Sequence, residues 1–122
     1  MVKGGGARNA DDKIIQNNAA SSVTIDGFSA QNFGKLYRSC GNCKGNGAKR
    51  NVTIKNVKAS GGKVLAGINS NYGDTATISN TCATSVKKLC VEFQGTNNNN
   101  VEPKELKNGI SNYCKYSSIP SC

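Results

Sequence analysis

Three short segments share one pattern of apolar and polar positions: SVTIDGF (22–28), NVTIKNV (51–57) and TATISNT (75–81). Each carries an apolar residue, a threonine and an isoleucine with a period of two, which predicts a short strand with one buried face. The isoleucines Ile25, Ile54 and Ile78 recur after 29 and then 24 residues. A second set of strand-like segments lies between them: KIIQNN (13–18), KLYRSC (35–40), KVLAGIN (63–69) and KLCVEF (88–93). Short strands at such intervals, with no helical periodicity between them, predict a solenoid. The L-x-x-L-x-L signature of leucine-rich repeats is missing. The pattern therefore reads as an all-β chain, a parallel β-helix whose coils hydrogen-bond to their neighbours. Gly and Asn punctuate the predicted corners, as in FGK, SGGK and NYGD. Asn56 and Asn80 occupy the same place after their Thr-Ile pairs, either as a buried amide ladder or as surface corner residues.

The repeat runs through residues 1–93, and residues 94–122 break it. Within that tail, NNNN (97–100) reads as a corner, and Glu102-Pro103 begins a turn or a short helix through Glu105-Leu106-Lys107. Cys114 and Cys122 are expected to tie the tail down over the open end of the solenoid.

Stacked coils give the lysines a possible role. Equivalent positions in adjacent coils lie roughly 4.8 Å apart. Lys13, Lys35, Lys63 and Lys88 each open a segment of the second set, so this register predicts a cationic stripe. Lysines that merely start exposed strands would splay into solvent, which is the plainer reading of Lys63 and Lys88.

The overall charge agrees with a cationic surface. There are 16 Lys and Arg against 7 Asp and Glu, a formal net charge of +9. Such an excess points to nucleic acid, a membrane surface or an acidic polysaccharide. Nucleic-acid binding favours aromatics among the basic residues, whereas Phe28, Phe33, Tyr37 and Tyr72 are scattered. No stretch approaches the roughly 18 apolar residues that span a bilayer. Hydrophobic residues make up only 36% and Trp is absent, which argues against a compact helical core.

The chain has no His, so Ser-His and Cys-His nucleophilic pairs are excluded. Cys40 and Cys43 form a C-x-x-C, but no second C-x-x-C follows to complete a zinc site. A thioredoxin-like redox role would need a βαβ setting. Six cysteines point instead to disulfides and an oxidising compartment, with the pairing left open. The sequon Asn51-Val52-Thr53 agrees with secretion. Residues 1–12, MVKGGGARNADD, show no apolar run, so a signal peptide is not expected within this sequence.

GGGARNADDKIIQNN, FGKLYRSCGNCK and GINSNYGDTATISN together resemble the pectate lyases of polysaccharide lyase family 3. The resemblance runs from about Val2 to Tyr116 and keeps the family's motif order. It implies a secreted, right-handed, single-stranded parallel β-helix that cleaves polygalacturonate by β-elimination with calcium. The Asp-Asp-Lys motif places Lys13 as the base. Lys35 and Arg38 match the family's K-x-x-R cluster, with Arg38 clamping a substrate carboxylate and Lys35 holding a second as a point charge. Lys63 is a further substrate-binding candidate, and Asp12 is the residue here that could touch calcium. Family members are longer, so upstream coils and their acidic calcium ligands fall outside the matched segment. A monomer with no nucleic-acid or membrane partner is expected. The alternative is a non-catalytic secreted β-helix that binds acidic polysaccharide through the same cations. One detail needs explaining: Lys35 and Arg38 are an odd number of residues apart, so a straight strand would aim them at opposite faces.

Overall fold

A computed structural model describes residues 2–18, 21–47 and 49–122. From Val2 to Gln94 its strands alternate between two sheets as the chain proceeds. The first sheet holds β1 (Val2–Lys3), β3 (Ser22–Asp26), β5 (Asn51–Lys55), β7 (Thr75–Ser79) and β10 (Cys114–Lys115), in that spatial order. The second holds β2 (Gly6–Asn17), β4 (Ser29–Ser39), β6 (Lys58–Asn69), β8 (Cys82–Gln94) and β9 (Lys104–Asn108). Every neighbouring pair is parallel except β8 with β9. This is the parallel β-helix expected from the repeat.

The isoleucine spacing sets the register. Ile25 pairs with Ile54 and Ile54 with Ile78, and all three are buried. Inside the second sheet Tyr37, Ala66 and Cys90 form a matching inward column, each fully buried. A helix with this sequence would scatter those residues around its circumference, whereas stacked coils gather them into one core.

Two corners are built from left-handed residues. The residues after Lys3, Asp26, Lys55 and Ser79 are Gly4, Gly27, Asn56 and Asn80, with φ of 71°, 71°, 56° and 45°. At the next corner Asn9, Asn32, Gly61 and Ser85 repeat the device. Gly and Asn tolerate positive φ better than other residues, which explains their recurrence. Asn80 donates its amide to Asn56, and Asn56 donates to Asp26 at 2.8 Å. The amides do form a ladder, but it lies on the exposed surface.

Residues 104–108 form a strand, where the sequence suggested a turn or short helix. The last coil leaves an unpaired edge on β8, and β9 satisfies it by antiparallel pairing. Disulfides Cys90–Cys114 and Cys82–Cys122 fasten the tail to the last coil, and Cys40–Cys43 closes the short loop after β4.

One buried carboxylate joins successive coils. Asp74 is fully buried and accepts from the Arg50 backbone N–H at 2.7 Å and the Asn69 backbone N–H at 3.0 Å. Asp74→Asn keeps the volume but turns one acceptor into a donor facing an N–H. The expected loss is about 2 kcal/mol of unfolding free energy in urea titration, with an unchanged m-value.

Candidate active site

Strand β2 carries two residues, Asp11 and Asp12, where β4 has only Gly34. The register passes from Ala10↔Phe33 directly to Lys13↔Lys35, so β2 bulges. A Cβ at Gly34 would collide with the Asp12 and Asp11 carbonyls, so glycine is required beneath the bulge. The bulge places Lys13 beside Lys35.

The odd separation of Lys35 and Arg38 is accommodated by two consecutive inward residues. Leu36 and Tyr37 are both fully buried in the same core cluster, so the flanking Lys35 and Arg38 both face outward. The Tyr37 hydroxyl is satisfied inside by Asn17 and Ser39, at 3.4 and 3.0 Å.

Arg38 is fixed on several sides. Its Nη1 donates to the Ser39 carbonyl and to Asn69 Oδ1, the latter at 2.9 Å. Its guanidinium carbon lies 4.0 Å from the centre of the Phe93 ring, a cation–π contact. Gly67 is its partner in the next coil, where a Cβ would press on Arg38 Cδ. These contacts spend Nη1 on the protein and leave Nη2 beside Gly41 at the pocket wall. Burial pushes the guanidinium down to about 10, partly offset by Asp74, so it stays charged at neutral pH.

The loop after β4 is held by its own network. The Cys40 carbonyl accepts from Asn46 at 2.8 Å, Asn69 at 2.9 Å and Arg50 at 3.3 Å. Arg50 also donates to Asn18 and Asn46 at 2.9 and 2.8 Å. The result is a rigid wall around a small cavity of about 130 Å³, lined by Lys13, Gln16, Arg38, Asn42, Phe93 and Glu102 among others. Lys13 and Arg38 thus share one pocket, with Lys35 beside them in register with Lys13.

Lys35 is held below its ordinary value first by burial, then by the charges of Lys13 and Arg38. The sign follows directly. Below that lowered value the folded chain carries a charge it disfavours, and the penalty fades as pH rises through it toward the unfolded value. Lys35→Met is therefore expected to raise the melting temperature at neutral pH, with a gain that shrinks toward strongly alkaline pH. Calorimetry across that range checks this, and a pH-independent gain would contradict it.

Lys63 does not enter this group. Val64 pairs with both Lys35 and Lys88, so the predicted stripe is Lys13, Lys35, Val64, Lys88. Lys88 is neutralised by Glu105 at 2.7 Å. The usable signal was the isoleucine spacing: 29 and then 24 residues from Lys35 lead to Val64 and Lys88. Gln16, Asn42, Asn69, Phe93 and Glu102 were missed because they come from separate coils and the tail, and no local motif marks them.

Calcium takes six to eight oxygen ligands. Among the described residues, no three acidic, histidine or cysteine side chains cluster to hold a metal. Asp12 is paired with Lys13 at 3.1 Å, and its carboxylate side chain is 75% exposed. The described side chains do not by themselves make a calcium site. Among the described residues, no helix is long and apolar enough to cross a membrane.

Comparison with known proteins agrees with this geometry. The family model described as "Pectate lyase" matches residues 1–100. Pectate lyase E of Emericella nidulans is 66% identical over 116 residues, covering 95% of this chain and 45% of the relative. A probable pectate lyase E of Aspergillus fumigatus is 62% identical over 122 residues, covering 99% and 47%. The chain thus spans less than half the length of these relatives. Among solved structures, the catalytic domain of pectate lyase PelI from Erwinia chrysanthemi superposes with a TM-score of 0.83 at 34% identity, covering 93% of this chain and 57% of that one. PelI in complex with tetragalacturonic acid gives 0.84 at 35% identity, covering 93% and 40%. With coil register, cation cluster and family match in agreement, this chain belongs to the pectate lyase family.

Proposed function

We propose that this chain carries the cationic half of a pectate lyase site and cleaves polygalacturonate by β-elimination. The observation that carries the reading is the meeting of Lys13, Lys35 and Arg38 across two coils, with Lys13 and Arg38 lining one pocket. Arg38 offers Nη2 to a uronate carboxylate, and Lys35 adds a point charge. Drawing the carboxylate's charge toward these cations stabilises the carbanion that develops at C5. Lys13, as the neutral amine, accepts the C5 proton. The C5–H electrons form the C4=C5 double bond, the C4–O bond breaks, and the leaving oxygen takes a proton from water. A lysine can do this only after shedding its own proton. An alkaline optimum is the expected signature.

Asp12 is proposed as one ligand of a calcium ion whose other oxygens come from outside the described side chains, and no step is assigned to that ion. An extracellular location is proposed on the strength of three disulfides.

The test is incubation with polygalacturonate and a record of ultraviolet absorbance. Elimination gives a conjugated, absorbing product end. Retention on pectate without absorbance favours the second reading, a non-catalytic polysaccharide-binding coil. The net charge of +9, with no acidic cluster for calcium among the described residues, is the observation on its side.

A further inference from the structure

Lys63 and Lys87 stand apart from the cations already described. Gly62 pairs with Val86 and Val64 with Lys88, so Lys63 and Lys87 are equivalent residues of adjacent coils. Their backbones are roughly 4.8 Å apart. Both are exposed, and neither takes part in an ion pair among the described residues. Like charges at that spacing repel, and the packing of these strands does not require them: Gly62 and Leu65 of β6 are buried on either side.

The two lysines line an open trough of about 560 Å³ with Asp11, Asn32, Phe33 and Ser85. Its floor is flat because Gly61 and Gly62 carry no side chains, and the Phe33 ring fills the place a Cβ on Gly62 would need. The trough lies on the outer side of the same sheet as the catalytic cations. Phe33, Leu36 and Leu65 are core residues, so the positions between them, including Lys35 and Lys63, turn outward. Lys63 precedes Gly67, the partner of Arg38, by four residues along β6. At the usual rise per residue this is roughly 13 Å, a reach of a few sugar units.

We propose that Lys63 and Lys87 form a second carboxylate-binding position for a polyuronate chain, reached by long oligomers and not by short ones. The proposal rests on the reading that acidic polysaccharide is the substrate. Asp11 is the one carboxylate in the lining, on β2, two coils from Lys63 or roughly 9.6 Å by strand spacing. It weakens anion binding without cancelling two lysines.

The experiment is calorimetric binding of trigalacturonate and octagalacturonate at low salt. The double variant Lys63→Gln, Lys87→Gln is expected to bind octagalacturonate about tenfold more weakly, from two solvent-exposed charge contacts, with trigalacturonate unchanged. Asp11→Asn is expected to tighten octagalacturonate binding. An unchanged double variant, equal losses for both oligomers, or weaker binding by Asp11→Asn would overturn the proposal while leaving the substrate reading intact. If the unsubstituted chain binds neither oligomer, the substrate reading falls and takes this proposal with it. All three side chains are exposed, and unchanged circular dichroism confirms folding of the variants.

Discussion

Lys13→Ala is expected to lower kcat for unsaturated-product release about 10³-fold, with KM changed little. On the proposed roles, alanine removes the only atom of that residue able to take the C5 proton, whereas ground-state binding of the carboxylate stays with Arg38 and Lys35. The loss should therefore appear in kcat. Lys13→Arg should not rescue the rate, because a guanidinium keeps its proton over the whole working range. A variant that lost affinity and kept its turnover would place Lys13 in binding instead. Product absorbance under saturating polygalacturonate separates the two outcomes.

Arg38→Ala is expected to cost about 10³-fold in kcat/KM, close to 4 kcal/mol, and to destabilise the fold as well. The two effects have separate origins. The catalytic loss comes from the Nη2 edge at the pocket wall. The stability loss comes from the Nη1 bonds to Ser39 and Asn69 and from the Phe93 stack, whose removal strands a buried Asn69 oxygen. That cost is about 2 kcal/mol. Phe93→Leu separates them: it removes the ring from beneath the guanidinium while both Nη1 partners remain. A moderate fall in kcat/KM with nearly normal stability is expected. Steady-state kinetics and urea unfolding of the two variants give both quantities.

The coil register could be read from the sequence because it rests on one repeated residue. Ile25, Ile54 and Ile78 mark equivalent points, and their spacing carries Lys35 to Val64 and Lys88, whereas Lys13 reaches Lys35 through the bulge in β2. Lys63 stands at the head of its segment, and segment order and coil register disagree there by one residue. The pairing of Lys35 with Val64 decides between them, and it leaves Lys63 one residue short of the Lys13–Lys35 position. The two outward cations of KLYR needed the bend at Leu36–Tyr37, which the sequence could only demand. The walls of the pocket were not legible at all. Asn69 and Arg50 donate to the Cys40 carbonyl from other coils, Asp74 accepts from the backbone of both, and Glu102 arrives from the tail. Such contacts depend on where coils stack, not on any spacing along the chain. The strand at 104–108 escaped for a related reason, since its residues favour helix and only the free edge of β8 makes it extend.

Cleavage of oligogalacturonate in water enriched in heavy oxygen, followed by mass spectrometry of the fragments, tests the central claim most directly. Elimination breaks the C4–O bond without adding water, so the account predicts unlabelled fragments, one of each pair carrying a C4=C5 double bond. Saturated fragments bearing solvent oxygen, or no fragments at all, would contradict it.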